Sequence, residues 1–178
     1  ARLSQTAGTK RRAAGMAPLY LGSAVELRRP PAWRVLDESL TQIDSGWMGV
    51  VGDSFETICG EAVAVVERYL RRGCDVHIGI DSPRGPLPAP REWYWDGKNE
   101  GWRQRRPAEK GRGRHCEVIV RSLGLANPQW TPSLEDSPNW MRLGYALFSA
   151  LEREASGPEA VHEVFPSASY AMWKAEPD

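Results

Sequence analysis

The chain has 178 residues, a length that fits one domain with a hydrophobic core of its own. Its 23 basic and 23 acidic residues balance, so the overall charge does not favour a polyanionic partner. With 41% hydrophobic and 26% charged residues the composition is that of a globular protein. No apolar run is long enough to span a membrane and no signal-peptide pattern is present, so we expect a cytoplasmic protein.

The first fifty residues combine a basic lead-in with one strand. Residues 1–17 carry four basic and no acidic residues, which fits either a solvated flexible tail or a binding element. The apolar pattern from Pro18 to Leu27 predicts a strand. Residues 32–52 allow a short helix followed by a turn region rich in glycine.

The clearest helix is predicted from Ser54 to Arg72, where apolar residues recur at steps of three and four. Asp53 and Glu56 have the spacing of a capping box, and Gly73 stands where a helix C-cap belongs. This helix leads directly into the next strand. A helix followed by a strand indicates an α/β sheet covered by helices.

That next strand runs from Val76 to Ile80 and ends on a carboxylate. Its apolar residues alternate onto one face, while His77 and Asp81 share the other face. Pro83 then ends the strand. Ligands of open α/β sheets bind outside the carboxyl ends of strands, so Asp81 is a candidate functional residue. That Asp81 only caps the turn, and that His77 is simply a packed histidine, are the alternatives.

Residues 83–113 show no periodicity and are interpreted as a long loop, a feature that is often functional. From Arg91 to Arg114 there are eight basic and four acidic residues, interleaved with Trp93, Tyr94, Trp95 and Trp102. Single-stranded nucleic acid is bound by phosphate attraction and base stacking, which makes Trp95 and Arg105 candidate substrate-binding residues. The other interpretation is a mobile loop whose tryptophans fold back onto the core.

The last third of the chain alternates helices with one strand. Apolar spacing predicts a helix over His115–Leu123, a second helix capped by Ser137, a strand over Val161–Phe165 and a final helix over Ala168–Trp173. The three cysteines form no CxxC pair, so neither a zinc site nor a disulfide framework is indicated. We interpret them as free thiols, with Cys116 in the core.

Four of these segments, in this order, resemble a family of domains of unknown function that are described as predicted nucleases with a ribonuclease H-like fold. The segments are His77-Ile78-Gly79-Ile80-Asp81-Ser82-Pro83-Arg84-Gly85, Arg114-His115-Cys116-Glu117, the helix of Trp140, Gly144 and Leu147, and Val161-His162-Glu163-Val164-Phe165-Pro166. The resemblance spans about residues 60–173. It implies one α/β domain over residues 1–178 with a ribonuclease H-like mixed sheet flanked by helices.

The chain departs from this family at both ends. Family members begin with a strand bearing a Gly-x-Asp carboxylate, and residues 1–30 contain no match to it. Many members also continue past the late strand into a helix with another acidic residue, whereas this chain stops at Asp178. We therefore expect a domain that is incomplete at both ends, and both a truncated and a degenerate nuclease fit this pattern.

The resemblance implies a metal-dependent phosphodiester hydrolase, in which carboxylates hold Mg²⁺ or Mn²⁺. Asp81 and Glu163, expected on neighbouring strands, are then the catalytic residues and metal ligands. Arg84, Arg114 and Glu117 are the substrate-binding candidates at the mouth, because arginine binds phosphate in a bidentate fork. Plainer explanations are an edge-strand charge for Glu163 and an ion pair one helical turn apart for Arg114 and Glu117.

Three functions therefore stay open on the sequence alone. The first is a nuclease, active or degenerate, with a single-stranded or hybrid nucleic acid as its substrate. The second is a non-catalytic module that binds nucleic acid or phosphate through the Arg/Trp-rich segment. The third is a protein-interaction domain that uses exposed tryptophans.

Overall fold

The structure is a computed structural model that describes residues 17–175, so the lead-in predicted for residues 1–17 lies almost wholly outside it. It contains seven strands and four helices in that range. They are β1 (Pro18–Ala24), β2 (Ala32–Leu36), β3 (Gln42–Trp47), α1 (Phe55–Leu70), β4 (Asp75–Asp81), β5 (Trp93–Asp96), β6 (Gly101–Gln104), α2 (His115–Ser122), α3 (Asn139–Ala150), β7 (Val161–Glu163) and α4 (Pro166–Ala175).

Five of the strands form one mixed sheet with the order β3-β2-β1-β4-β7. The central strand β1 runs antiparallel to β2 and parallel to β4, and β7 extends the parallel part of the sheet. β5 and β6 form a separate two-stranded hairpin. The predicted α/β class with a mixed sheet and helices is confirmed. No helix between residues 17 and 175 has the length and apolar character that a membrane span requires.

The core lies between one face of the sheet and the helices α1 and α3. Val35, Ile78 and Val161 are fully buried on that face, where alternate residues of each strand point toward the helices. Burying one such side chain stabilises a fold by about 1.5–3 kcal/mol. α3 continues as a π-helical turn over Leu151–Ala155 before the chain enters β7.

The helix predicted from Ser54 to Arg72 is observed as α1, but its cap differs from the prediction. Ser54 is the N-cap, and its hydroxyl accepts a hydrogen bond of 3.1 Å from the backbone N–H of Thr57. The carboxylate of Asp53 instead accepts from the backbone of Val50, at 2.8 Å. Asp53 therefore closes the turn that precedes the helix.

Two other predictions are wrong. Residues 32–47 form β2 and β3 rather than a short helix, because the apolar spacing that suggested a helix spans a turn in which Leu40 has a φ of +60°. The glycine-rich turn predicted after them is present, with Gly49 and Gly52 at positive φ. Residues 83–113 are not a structureless loop, since they contain the hairpin of β5 and β6. Four-residue strands are too short to produce a visible alternation in the sequence.

The opposite side of the sheet keeps several large side chains exposed. In the registers of the paired strands, Tyr20 faces His77, Gly22 faces Arg34, and Ala32 faces Trp47. Directly paired residues share a face. We call this side, with Tyr20, Gly22, Ala24, Ala32, Arg34, Trp47, His77, Asp81 and His162, the open face.

Candidate functional site

A cleft of about 960 Å³ opens at the carboxyl ends of the parallel strands β1, β4 and β7. Val25, Asp81 and Glu163 line it from these three strand ends, and Arg114 and Cys116 line it from the beginning of α2. Its size is at the upper end of the range for small-molecule sites, and its position is the usual ligand position in open α/β sheets. Cys116 is exposed there, so its predicted place in the core is wrong.

The carboxylate of Asp81 has fewer hydrogen bonds and ion pairs than the other carboxylates of the cleft. It is half-buried, and no residue between 17 and 175 donates a hydrogen bond to it or forms an ion pair with it. Burial raises the pKa of this carboxyl above its ordinary value, because desolvation disfavours the charged form. A carboxylate in a cleft with a raised pKa is a typical candidate for a functional residue.

Glu163 lies one strand away from Asp81 but is held by arginine. In the register of β4 and β7, Glu163 is paired with Ile80, directly before Asp81. The guanidinium of Arg114 donates to both carboxylate oxygens of Glu163, in one case at 2.6 Å. The backbone N–H of Arg84 donates to one of these oxygens at 2.9 Å. This bidentate fork is a strong form of ion pair.

Arg114 is fixed in turn by Glu117, which is buried. Glu117 accepts a hydrogen bond of 2.8 Å from the guanidinium of Arg114 and one of 3.0 Å from its backbone N–H. The same carboxylate also accepts from the backbone N–H of Thr131, at 3.0 Å, and from its hydroxyl. These two carboxylates raise the pKa of Arg114 against the effect of its burial. The ion pair of Arg114 and Glu117 is thus present, within a larger network.

Arg84 stabilises the turn that follows β4. Its guanidinium donates to the backbone carbonyl of Val161, pairs with Glu152 at 3.2 Å and lies over the ring of Phe148, 5.3 Å from its centroid. The structure therefore brings Asp81, Glu163, Arg114 and Glu117 together in the cleft and places Arg84 beside it. Trp95 and Arg105 lie outside the cleft lining, on and next to the hairpin.

The donor groups in the cleft do not fit the two-ion arrangement that the resemblance implies. Both oxygens of Glu163 are held by a guanidinium, which puts a positive charge where a cation would bind. In β1, Ala24 is paired with Asp81, so this strand supplies no carboxylate beside it. Among the described residues, no three His, Cys, Asp or Glu side chains are grouped so that they could hold a metal ion.

The hairpin of β5 and β6 presents three tryptophans on its outer face. Trp93, Trp95 and Trp102 are 49%, 40% and 45% exposed. Trp95 is paired with Trp102 across the strands, with ring centroids 5.6 Å apart in an edge contact. The interpretation that these tryptophans fold back onto the core is wrong. We call this set of three residues the Trp face.

The inner face of the hairpin is tied to the segment that follows it. The hydroxyl of Tyr94 accepts a hydrogen bond of 2.9 Å from the backbone N–H of Gly111, and the guanidinium of Arg91 lies 4.1 Å from the centroid of the Tyr94 ring. Arg103 forms a bidentate pair with Glu109, which lowers the pKa of Glu109 to about 2. Alternation along β5 thus packs Tyr94 inward and leaves the tryptophans outside.

Two features of the site could not be identified from the sequence. Thr131, which holds Glu117, lies in an aperiodic connection 14 residues away. His115 stacks on Trp102 with centroids 5.2 Å apart, which joins the Trp face to the start of α2 and so to the cleft. The outward positions of Trp93 and Trp95 and the inward position of Tyr94 follow from the hairpin, which its four-residue strands did not reveal in the sequence.

The fold and the site define an α/β domain with a mixed five-stranded sheet and a polar cleft at the carboxyl ends of its parallel strands. Comparisons with protein-family models, with curated proteins and with solved structures gave no match to this chain. The resemblance to predicted nucleases therefore stays a prediction.

Replacing Asp81 by asparagine should stabilise the fold at neutral pH. Burial favours the protonated form of Asp81 in the folded chain. The raised pKa stabilises the fold fully below the unfolded-state pKa of about 3.9, and this stabilisation is lost as the pH rises through the folded-state pKa. The asparagine side chain is neutral at every pH. In urea denaturation we therefore expect Asp81→Asn to have a higher free energy of unfolding than the unmodified protein at pH 7, and the difference to disappear in acid. Glu135→Gln, at an exposed carboxylate, is the control and should leave stability unchanged. An Asp81→Asn variant that is less stable than the unmodified protein at pH 7 would contradict the prediction.

Proposed function

We propose that this domain binds single-stranded nucleic acid, with bases stacked on the Trp face. The observation that carries the proposal is the exposure of Trp93, Trp95 and Trp102 on one side of a hairpin. Exposed indole rings are costly in water unless a partner covers them, and nucleobases stack on such rings with little dependence on sequence. His115 stacks on one side of Trp102, so bases would use the remaining ring surface of the Trp face.

The basic residues around the Trp face suit phosphate groups. Arg105 is exposed, and its guanidinium donates to the backbone carbonyl of Glu109 at 3.1 Å. No carboxylate in the described range 17–175 pairs with it. Arg106 and Lys98 are exposed nearby in the sequence. The cleft itself is less suited to phosphate, because four acidic and two basic side chains line it. We therefore place the nucleic-acid backbone along the hairpin and its flank.

The fold agrees with this assignment. The order β3-β2-β1-β4-β7, with Asp81 and Glu163 on neighbouring parallel strands, supports the ribonuclease H-like fold that the resemblance implies. In such a fold the cleft at the strand ends is where a nucleic acid would be processed. The network of Arg114 with Glu163 and Glu117 favours binding without turnover over hydrolysis at a two-ion centre.

The test is binding of a fluorescently labelled single strand, measured by anisotropy. Because base stacking on an aromatic side chain contributes about 1–3 kcal/mol, Trp95→Ala and Trp102→Ala should each weaken binding by about 5- to 150-fold. Arg105→Ala should reduce the slope of log K against log salt by about 0.7, the value for one lost phosphate contact to a single strand. Trp173→Ala, an equally drastic change at an exposed tryptophan of α4, should leave the affinity unchanged.

Equal weakening by Trp95→Ala and Trp173→Ala would contradict the proposal, because it would indicate no specific role for the Trp face. Circular dichroism of each variant checks that the fold is retained. Capture of a protein in place of nucleic acid by the Trp face would also overturn it and favour the interaction-domain alternative.

A phosphodiester hydrolase is the second candidate, and the state of Asp81 favours it. The carboxylate is half-buried, has no protein partner among residues 17–175 and lies in a cleft with an acidic lining. Mg²⁺ commonly binds to one or two carboxylates together with substrate phosphates. Asp81 thus fits as the protein ligand of one cation. Calorimetry with Mn²⁺ should then show saturable binding that Asp81→Asn abolishes, and no binding, or equal binding by both proteins, would remove this candidate.

A further inference from the structure

The open face of the sheet carries a second set of aromatic rings. Tyr20 on β1 and His77 on β4 stack with ring centroids 5.7 Å apart, and His162 on β7 continues the row, 6.2 Å from His77. Tyr20 is 40% exposed, and His162 is exposed at the edge of the sheet. Trp47 lies on β3, the edge strand opposite β7, and is 57% exposed. Aromatic rings therefore lie toward both edges of the open face.

The centre of this face is a floor of small residues. Gly22 and Ala24 on β1 are exposed, and a Cβ atom at Gly22 would meet nothing within 4 Å. Beside Gly22, in the register of β1 and β2, stands Arg34. Arg34 is exposed, and its guanidinium forms no hydrogen bond or ion pair within the described range 17–175. The open face therefore combines exposed rings at Tyr20, His162 and Trp47 with a shallow floor and a positive charge that no residue between 17 and 175 neutralises.

We propose that the open face is a second binding surface for the same single-stranded nucleic acid, with bases on Trp47 and Tyr20 and a phosphate on Arg34. This inference rests on the proposed function. The chemistry that supports it is the combination of flat ring surfaces with a guanidinium, which is what sheet-based recognition of single strands uses. A protein partner is a poorer match, because the named residues of this face present mainly ring and polar atoms around a glycine floor.

The two surfaces meet at the cleft. Ala24 at the end of the floor is paired with Asp81, which lines the cleft from the sheet. Cys116 lines the cleft from α2, one residue after His115, on which Trp102 stacks. A single strand that lies on the open face and on the Trp face would pass over the cleft.

The experiment is titration of a labelled single strand of about 16 nucleotides, long enough for both surfaces. Trp47→Ala should weaken binding by about tenfold, and Arg34→Gln should lower the salt slope by about 0.7. Both side chains are exposed, so these variants should fold as the parent does. Arg71→Gln is the matched control, because Arg71 is exposed at the end of α1 on the helix-covered side of the sheet.

The outcomes separate this inference from the proposed function. If the parent protein binds, Trp95→Ala weakens binding and the open-face variants behave like Arg71→Gln, the second surface is refuted while the proposed function stands. If the open-face variants weaken binding and Trp95→Ala does not, the open face is supported and the role of the Trp face is refuted. If the parent protein does not bind at all, both are refuted.

Discussion

Replacing Glu117 by alanine should lower the free energy of unfolding by about 3–5 kcal/mol, the cost of removing one partner of a buried ion pair. Glu117 is only 6% exposed and accepts hydrogen bonds from both Arg114 and Thr131. Without it, the backbone N–H and hydroxyl of Thr131 lose their acceptor, and Arg114 loses one of its two carboxylates. Urea denaturation with one transition measures the change.

Two further variants make this result specific. Glu117→Gln keeps the shape and one oxygen acceptor, so its loss should be smaller than that of Glu117→Ala. Glu159→Ala removes an exposed carboxylate and should change stability by no more than about 0.5 kcal/mol. A loss below about 1 kcal/mol for Glu117→Ala would mean that the network of Arg114 does not hold α2 to the sheet.

Gly144→Ala should destabilise the fold by about 2 kcal/mol, although alanine favours helices. An added Cβ at Gly144 in α3 would lie 1.9 Å from the hydroxyl oxygen and 2.7 Å from the Cβ of Ser82, which is buried directly after Asp81. Overpacking of this kind costs about 1–3 kcal/mol. The upper end is expected here, because the Cβ of Ser82 cannot move without its backbone. The gain in helix propensity is about 1 kcal/mol, so the clash prevails.

The matched control for this prediction is the same substitution in another helix. At Gly60 in α1 an added Cβ meets nothing within 4 Å, so Gly60→Ala should stabilise the fold by about 1 kcal/mol. The second site change Ser82→Gly removes both clashing atoms and should recover part of the stability of Gly144→Ala. If Gly144→Ala and Gly60→Ala change stability in the same direction, the close contact of α3 with Ser82 is not the reason for the glycine.

The part of the fold that the sequence could predict depends on regular patterns. The strand that ends at Asp81 and the helix α1 were predicted because apolar residues alternate in one and recur every three or four residues in the other. β2 alternates, with Trp33 and Val35 buried on either side of exposed Arg34, but it is only five residues long. β3 is an edge strand without a buried residue, so apolar residues such as Ile43 do not mark a buried face. At an edge strand, position in the sheet overrides the local pattern.

The sequence could name four residues of the candidate site but not the contacts that they make. Asp81, Glu163, Arg114 and Glu117 were named from motifs, and the structure brings all four to one cleft. Their states were not predictable, because they depend on contacts between distant segments. The fork from Arg114 to Glu163 joins residues 49 positions apart, and the pairing of Ala24 with Asp81 depends on the register of two strands. Such contacts follow from tertiary packing and not from spacing in the chain.

Single-strand binding is tested most directly by titrating the unmodified protein with an unlabelled single strand and following its tryptophan fluorescence at low and high salt. We predict saturable quenching, because bases would cover Trp93, Trp95 and Trp102, and an affinity that falls as salt increases. Quenching that is absent at low salt, or an affinity that does not change with salt, would contradict the assignment of this domain as a single-strand-binding protein.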